Sequence, residues 1–146
     1  MSIPGEPSSR APAPPHPDVK AMLICDHAIR EEGTFKVSLI GIFEKVWAPV
    51  FPMAHSTLSV YVKVGDAYGD YDLVLELIRL EDMMAVGRGE AKASVTDRLE
   101  PAEWLFTLGW LVFERAGTYE FRLTANGRHL ESKSFTVVQL AESPGG

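Results

Sequence analysis

Cysteine, long apolar runs and clustered basic residues are all scarce in this sequence, and each shortage excludes a class of protein. The 146 residues include one cysteine, Cys25, so no intrachain disulfide can form and a reducing, cytoplasmic location is expected. No stretch approaches the roughly 20 apolar residues that a membrane-spanning helix requires. The N-terminus has no basic region followed by an apolar block, so no signal peptide is expected.

The acidic charge balance argues against two kinds of partner. The chain carries 14 basic and 20 acidic side chains, a net charge of −6. Its lysines and arginines form no cluster, so the electrostatic footprint of a nucleic-acid-binding protein is missing. Anionic membrane surfaces attract polybasic segments, which this chain lacks. We therefore expect neither nucleic acid nor a membrane as the partner.

The short motifs of cofactor and metal chemistry are missing as well. There is no glycine-rich phosphate loop, no Gly-x-Ser-x-Gly elbow, no Cys-x-x-Cys and no histidine pair at zinc-binding spacing. Asp66, Asp70 and Asp72 crowd one turn without the spacing of a calcium loop, so a solvated hairpin turn is predicted there. No catalytic residue, cofactor or metal ligand is expected.

One pair of side chains keeps an enzymatic alternative open. Cys25 and His27 lie two residues apart, so on a continuous strand they share a face. A thiol hydrolase would need the two in contact, with a third group orienting the imidazole. The preceding residues Met22-Leu23-Ile24 are apolar, which favours Cys25 as a small, inert core residue. Catalysis by this dyad is the less favoured interpretation.

What the sequence does contain is alternation with the period of β-strands. Apolar and polar residues alternate most regularly over residues 119–126, and Asn126-Gly127 is a strong hairpin signal. No segment has a convincing helical period. The pattern predicts an all-β fold, an antiparallel β-sandwich. About eight strands are expected, at 21–26, 36–47, 57–64, 71–80, 85–95, 104–113, 118–126 and 129–140.

Three details of these strands can be predicted. Strand 36–47 is apolar on both faces and should therefore be central in its sheet. In the last strand the spacing of apolar residues changes after Leu130, which predicts a β-bulge near Ser132–Ser134. Trp104 and Trp110 alternate in step with Phe106 and Leu108, so both tryptophans are predicted to lie in the core.

Composition divides the chain into one domain with two irregular ends. Residues 1–19 hold six prolines and little apolar surface, which predicts a disordered tail of polyproline II character. The sandwich domain is expected over 20–141, and a frayed C-terminus over 142–146. A ligand for an SH3-type groove is a less favoured interpretation of the tail, because the spacing of the usual basic motif is missing.

The loop Ala48–Met53 is the feature that points most towards a function. Pro49 and Pro52 cannot donate hydrogen bonds within a sheet, so the loop cannot be a central strand. It is nevertheless too apolar for an ordinary solvated connection. Such a loop either plugs the open end of the sandwich or presents an interface. Its candidate interface residues are Trp47, Val50, Phe51 and Met53.

These segments resemble a family of short bacterial proteins of unknown function. The resemblance rests on Cys25-Asp26, Gly33, the strand Ser38–Phe43 and the exit Trp47-Ala48-Pro49. The end of the chain, from Gly117-Thr118-Tyr119 to Val137, is similar to that of immunoglobulin-like sandwiches. The likeness covers roughly residues 20–140. It implies a β-sandwich and brings no activity or site residues with it.

The function that these observations favour is that of a non-catalytic interaction module. It would bind a protein partner, or a second copy of itself, through end loops or an exposed sheet edge. The alternative is a structural subunit of a homo-oligomer or larger assembly. A thiol hydrolase centred on Cys25 and His27 is the third interpretation.

Overall fold

The computed structural model describes residues 13–140, which form nine strands and no helix. No helix in this part of the chain is therefore available to cross a membrane. The predicted all-β class is confirmed. The strands are β1 Asp18–Arg30, β2 Val37–Ile42, β3 Lys45–Ala48, β4 Met53–Gly65, β5 Gly69–Arg79, β6 Met84–Val95, β7 Ala102–Phe113, β8 Gly117–Ala125 and β9 Arg128–Gln139.

The strands form two sheets that enclose one hydrophobic core. The four-stranded sheet has the order β2-β1-β4-β7, and the five-stranded sheet has the order β3-β9-β8-β5-β6. Neighbouring strands pair antiparallel, as predicted, with the exception of β3 and β9, which are parallel. The long connection between these strands makes parallel pairing possible, since adjacent strands joined by a short hairpin must be antiparallel.

An aromatic cluster around Phe135 lies at one end of this core. The Phe135 ring contacts Phe113 of the four-stranded sheet at a centroid distance of 5.9 Å, edge to face. It stacks on Tyr119 at 5.9 Å and on Phe121 at 5.7 Å within its own sheet. Phe43, in the connection from β2 to β3, completes the cluster at 5.8 Å. Offset and edge-to-face pairs of this kind add to the stabilisation from burial.

The prediction of one central strand over residues 36–47 is wrong. The segment breaks at Phe43-Glu44 into β2, at the edge of the four-stranded sheet, and β3, at the edge of the five-stranded sheet. Its apolar residues therefore differ in burial. Phe43 and Val46 pack against the core, whereas Ile40 and Ile42 are exposed. Apolar character on both faces marked a strand that crosses between sheets.

The prediction for the tryptophans is confirmed for Trp104 and wrong for Trp110. Trp104 is buried, but Trp110 is 75% exposed. The inward alternation of β7 ends at Leu108 and resumes with Leu111, because Trp110 has a left-handed backbone with φ of 55°. A residue in that conformation lets the strand switch faces. Trp110 is thereby turned outward and Phe113 inward.

The predicted bulge exists in β9, but two residues earlier than expected. The pairing of β8 with β9 shifts between Leu123, which faces Glu131, and Thr124, which faces His129. Leu130 is the extra residue, and its side chain packs against the core. A bulge lets two inward apolar residues stand an odd number of positions apart, which is the change seen between Leu130 and Phe135.

The hairpin of β1 and β2 folds back over the four-stranded sheet. Ala21 and Glu103 both pair with Lys63, so they lie on one row across the sheet. Nine residues further along a straight strand, Arg30 would lie about 30 Å from that row. Its guanidinium instead donates to the carbonyl oxygen of Glu103 at 2.8 Å. The strand must therefore reverse its course after Cys25, where its pairing with β4 ends.

This reversal explains why the outer face of the sheet is buried. Cys25 pairs with Ser59, on the face opposite to the core residues Ile24 and Val60. Cys25 and Ser59 are nevertheless almost fully inaccessible, and Tyr61 on the same face is buried too. The Tyr61 hydroxyl donates to the carboxylate of Glu103. The folded-back hairpin thus provides a second buried layer.

The start of the domain differs from the boundary expected at residue 20. Strand β1 already begins at Asp18, and Pro17 is buried. The Tyr71 hydroxyl also donates to the carbonyl oxygen of Pro15 at 2.7 Å. Residues 13–19 therefore contact the domain. The rest of the expected tail, residues 1–12, and the expected frayed end, 142–146, lie outside the described residues.

Replacing Phe121 with alanine should lower the free energy of unfolding by about 3–5 kcal/mol, because the transfer and cavity terms both apply to a large buried ring. Phe121 is fully buried and stacked on Phe135. Chemical denaturation measures the loss. Phe35→Ala is the matched control, since Phe35 is 68% exposed and should change stability by only about 0.5 kcal/mol. Equal losses in the two variants would contradict the packing described.

Candidate functional site

Cys25 and His27 do not form a thiol–imidazole dyad in the structure. Cys25 is buried, and its Sγ donates to the backbone carbonyl oxygen of His27 at 3.3 Å, not to the ring. The His27 side chain is exposed. Burial, and then the charge of Asp26, raise the pKa of the Cys25 thiol. Both causes lower the fraction of reactive thiolate at neutral pH.

The structure instead brings together Asp26 and His55, which no motif in the sequence pairs. The Oδ1 atom of Asp26 lies 3.2 Å from Nε2 of His55. The imidazole is mostly buried beside Phe43, with ring centroids 6.0 Å apart. This pair stands where β1 leaves β4 and reverses. It joins the corner of the hairpin to the first residues of β4.

Gly41 makes room for this carboxylate. It has a φ of 72°, and a Cβ atom placed on it would lie 2.5 Å from Oδ2 of Asp26. Gly41 also lies opposite Asp26 in the hairpin, between the pairs Cys25–Ile42 and His27–Ile40. A residue with a side chain would therefore push the carboxylate away from His55. We call Asp26, Gly41 and His55 the hairpin corner, because they act as one structural unit.

The hairpin corner offers little catalytic chemistry. Among residues 13–140, the side chains of Asp26 and His55 hydrogen-bond only to each other, so no hydroxyl or thiol is held against the imidazole as a nucleophile. Within the same range, no three His, Cys, Asp or Glu side chains are gathered as metal ligands. The geometry is that of a structural tie between two strands.

The apolar loop divides into two groups of side chains. Phe51 and Met53 are partly buried and pack against the core, as a plug would. Trp47 and Val50 are 58% and 66% exposed. The alternation of β3 causes the division, because Val46 and Ala48 point inward and turn Trp47 outward. The sequence alone could not separate the two groups, since the inward face of β3 depends on its pairing with β9.

The pairing of β3 with β9 places further apolar residues beside the exposed part of the loop. Trp47 lies opposite Val138, and the backbone N–H of Leu140 donates to the carbonyl oxygen of Ala48 at 2.7 Å. Leu140 is two residues beyond Val138, so both belong to the outer face of the sheet with Trp47. We call Trp47, Val50, Val138 and Leu140 the β3 patch. It lies at one edge of the five-stranded sheet.

A second exposed apolar surface lies at the opposite edge of that sheet. Met84, Trp110 and Val112 line one surface concavity of about 350 Å³ where β6 meets β7. We call these three residues the β6–β7 patch. Arg79 lies at its margin, where Asp82 accepts two hydrogen bonds from its guanidinium at 3.0 and 2.7 Å. This contact lowers the pKa of Asp82 to about 2.

Comparison with known proteins identifies a family and no activity. Residues 20–138 match the model of a family of unknown function. The match spans most of the chain and nearly the range expected from the resemblance. It includes every residue of the hairpin corner. None of the curated proteins matches this chain.

Gly41→Ala should destabilise the protein by about 2–3 kcal/mol, because it adds a strained left-handed alanine and displaces the Asp26 carboxylate. Gly33→Ala is the matched control. Gly33 has a φ of 86° with no atom within 4 Å of the added Cβ, so its loss should be about 1 kcal/mol. Urea denaturation of both variants measures the difference.

The same pair in an Asp26→Ala background separates strain from displacement. Without the carboxylate, the excess loss of Gly41→Ala over Gly33→Ala should shrink but not vanish, because the Cβ atom of residue 26 remains 3.2 Å from the added Cβ atom. If the excess loss at Gly41 is unchanged in that background, Asp26 is not the group that requires the glycine.

Cys25 should react with a thiol reagent at pH 7 at least about tenfold more slowly than a free thiol, since its burial and raised pKa both suppress the thiolate. The reaction should accelerate as the pH rises. Ser134→Cys in a Cys25→Ala background gives the exposed reference, because Ser134 lies on the surface. Labelling of native Cys25 at the rate of this reference would restore the thiol enzyme as the better interpretation.

Proposed function

We propose that this chain, which belongs to the DUF6941 family of unknown function, is a non-catalytic domain that binds a protein partner. The observation that carries the proposal is the β3 patch. Trp47, Val138 and Leu140 lie at one sheet edge, Val50 follows in the adjoining loop, and the tryptophan is more than half exposed. Scattered exposed apolar residues are ordinary, whereas contiguous ones at an edge are typical of interaction sites.

The composition and position of the β3 patch support binding. Tryptophan is among the residues that contribute most to protein interfaces, because burial of its ring removes a large apolar area from water. Phe51 and Met53 pack against the core and fix the loop. The backbone that carries the exposed Val50 is therefore restricted in its motion. A loop that is already fixed by packing loses less conformational entropy on binding than a free loop.

The outer backbone edge of β3 adds a second means of contact. Strand β3 pairs with β9 on one side and is the last strand of its sheet on the other. An extended segment of a partner could pair there while the apolar side chains pack beside it. The strand has only four residues, so the patch must supply much of the affinity.

The proposed absence of catalysis rests on the contacts of Cys25 and His55. Cys25 is buried and bonded to a carbonyl oxygen, and His55 is bonded to Asp26. The Cys25 thiol is hydrogen-bonded to neither imidazole, so the described residues hold no activated thiol. The single cysteine also supports a reducing compartment such as the cytoplasm.

A second candidate function is that of a repeating subunit in an assembly. The β3 patch and the β6–β7 patch occupy the two edges of one sheet, which has β3 at one end and β6 at the other. If one patch bound the other patch of the next molecule, the contact would be head to tail. Contacts of that type form rings or filaments.

Trp47→Ser should abolish partner binding while leaving the melting curve nearly unchanged, because the ring is largely in water in the free protein. Phe51→Ser is the matched control from the same loop. It should lower stability by about 2 kcal/mol or more and reduce binding only in proportion to the folded fraction, since Phe51 packs on the core. Thermal melting, light scattering and pulldown from cell extract measure the three quantities.

The two candidate functions give different results in light scattering. Trp110→Ser should dissociate a head-to-tail assembly as effectively as Trp47→Ser, whereas it should not affect a partner that binds at the β3 patch alone. Folded Trp47→Ser protein that still binds at wild-type strength would remove the β3 patch as the binding surface.

A further inference from the structure

The N-terminal segment lies in a groove that is separate from both exposed patches. Pro14 and Pro15 line it together with Tyr68, Gly69 and the rim residue Arg98. The groove lies at the turn between β4 and β5. A cavity of about 540 Å³ stays open beside the two prolines. The groove is therefore larger than the part of the chain seated in it.

The polar contact in this groove is made by a tyrosine hydroxyl that is held in place. Tyr71 is almost fully buried, and its ring lies 5.8 Å from that of Trp104. Its hydroxyl accepts a hydrogen bond from the backbone N–H of Tyr68 at 3.1 Å and donates to the carbonyl oxygen of Pro15 at 2.7 Å. The hydroxyl also lies 3.3 Å from the carbonyl oxygen of Tyr68, so contacts with the Tyr68 backbone hold it beside the seated segment.

The apolar contact is made between the Pro14 ring and the backbone at Gly69, which has no side chain. A Cβ atom on Gly69 would lie 3.3 Å from Cγ of the Pro14 ring. The absence of that atom lets the proline ring lie directly against the backbone. Beside it, the exposed ring of Tyr68 forms one side of the cavity, and Arg98, held by Asp66, forms the rim.

These contacts match the chemistry of an extended proline-rich chain. A polyproline II segment has no internal hydrogen bonds, so its carbonyl oxygens are free to accept from a fixed donor. Its rings pack against aromatic surfaces, and little conformational entropy is lost because the segment is already extended. Tyr71 supplies the donor, and Tyr68 with Gly69 supplies the surface.

We propose that the Tyr68–Tyr71 groove is a polyproline-recognition site that the chain's own Pro14-Pro15 occupies, and that it takes a proline-rich segment of a partner protein. The seated prolines identify the ligand chemistry, and the open cavity provides the space for a longer segment. A partner is favoured over a second copy because the Pro14-Pro15 segment of a second copy is already seated in that copy's own groove. The attached segment acts as an internal competitor.

Fluorescence anisotropy with a labelled peptide of residues 8–17, SSRAPAPPHP, tests the proposal on the full-length chain. The wild-type protein should bind it weakly, because the attached segment competes at an effective concentration of the order of millimolar. Pro14→Ala with Pro15→Ala removes the seated rings and should tighten peptide binding by about tenfold. Melting curves show that each variant is folded.

Tyr71→Phe, added to the double proline variant, should weaken peptide binding by about fivefold, as the loss of one oriented hydrogen bond predicts. Tyr119→Phe is the matched control. Tyr119 is equally buried and also donates to a backbone carbonyl, that of Arg115 at 2.7 Å, but it lies away from the groove. It should leave peptide binding unchanged.

The remaining outcomes overturn the proposal in distinguishable ways. Equal peptide binding by the wild-type and double proline variants, or no binding by either, reduces the groove to a structural anchor for the N-terminus. Peptide binding that is insensitive to Tyr71→Phe places the peptide elsewhere. If the wild-type chain forms dimers that the proline substitutions dissociate, the occupant is the segment of a second copy. None of these results depends on the β3 patch.

Discussion

The packing of aromatic rings on Phe135 is the interaction on which the rest of the structure depends. Phe113 reaches this cluster from β7 of the opposite sheet, and Phe43 reaches it from the crossing between β2 and β3. To bring Phe113 inward, β7 switches faces at Trp110 and turns that ring into solvent. After the crossing at Phe43, β3 buries Val46 and Ala48, and Trp47 is turned outward. Both exposed tryptophans thus follow from the demands of one buried cluster.

The hairpin corner gives the sequence resemblance a structural basis. Asp26 and Gly41 belong to separate blocks of the resemblance, yet the glycine is open because the carboxylate lies where its side chain would be. His55 ties that carboxylate to β4. The reversal of β1 at this corner then buries Cys25 beneath the hairpin. The hairpin corner thus also keeps the Cys25 thiol away from solvent.

The three surfaces proposed for binding differ in chemistry. The β3 patch and the β6–β7 patch present a tryptophan among aliphatic and methionine side chains, which favours burial against another apolar surface. The N-terminal groove combines an oriented hydroxyl with a wall that lacks a side chain, which favours a backbone with free carbonyl oxygens. Apolar patches bind by area, whereas the groove selects by hydrogen bonding and shape. The two proposed binding modes therefore differ in chemistry and do not compete for the same surface.

Alternation along the chain determined the all-β class and the regular strand of Phe121, because these depend on local period and apolar content. It could not determine where a strand changes face or sheet. The exposure of Trp110 depends on one left-handed residue, and the division of segment 36–47 depends on which neighbours accept its two halves. The approach of His55 to Asp26, of Leu140 to Trp47 and of Tyr71 to Pro15 joins segments far apart in sequence. Tertiary structure alone decided these contacts, because a period describes one strand and says nothing of its partner.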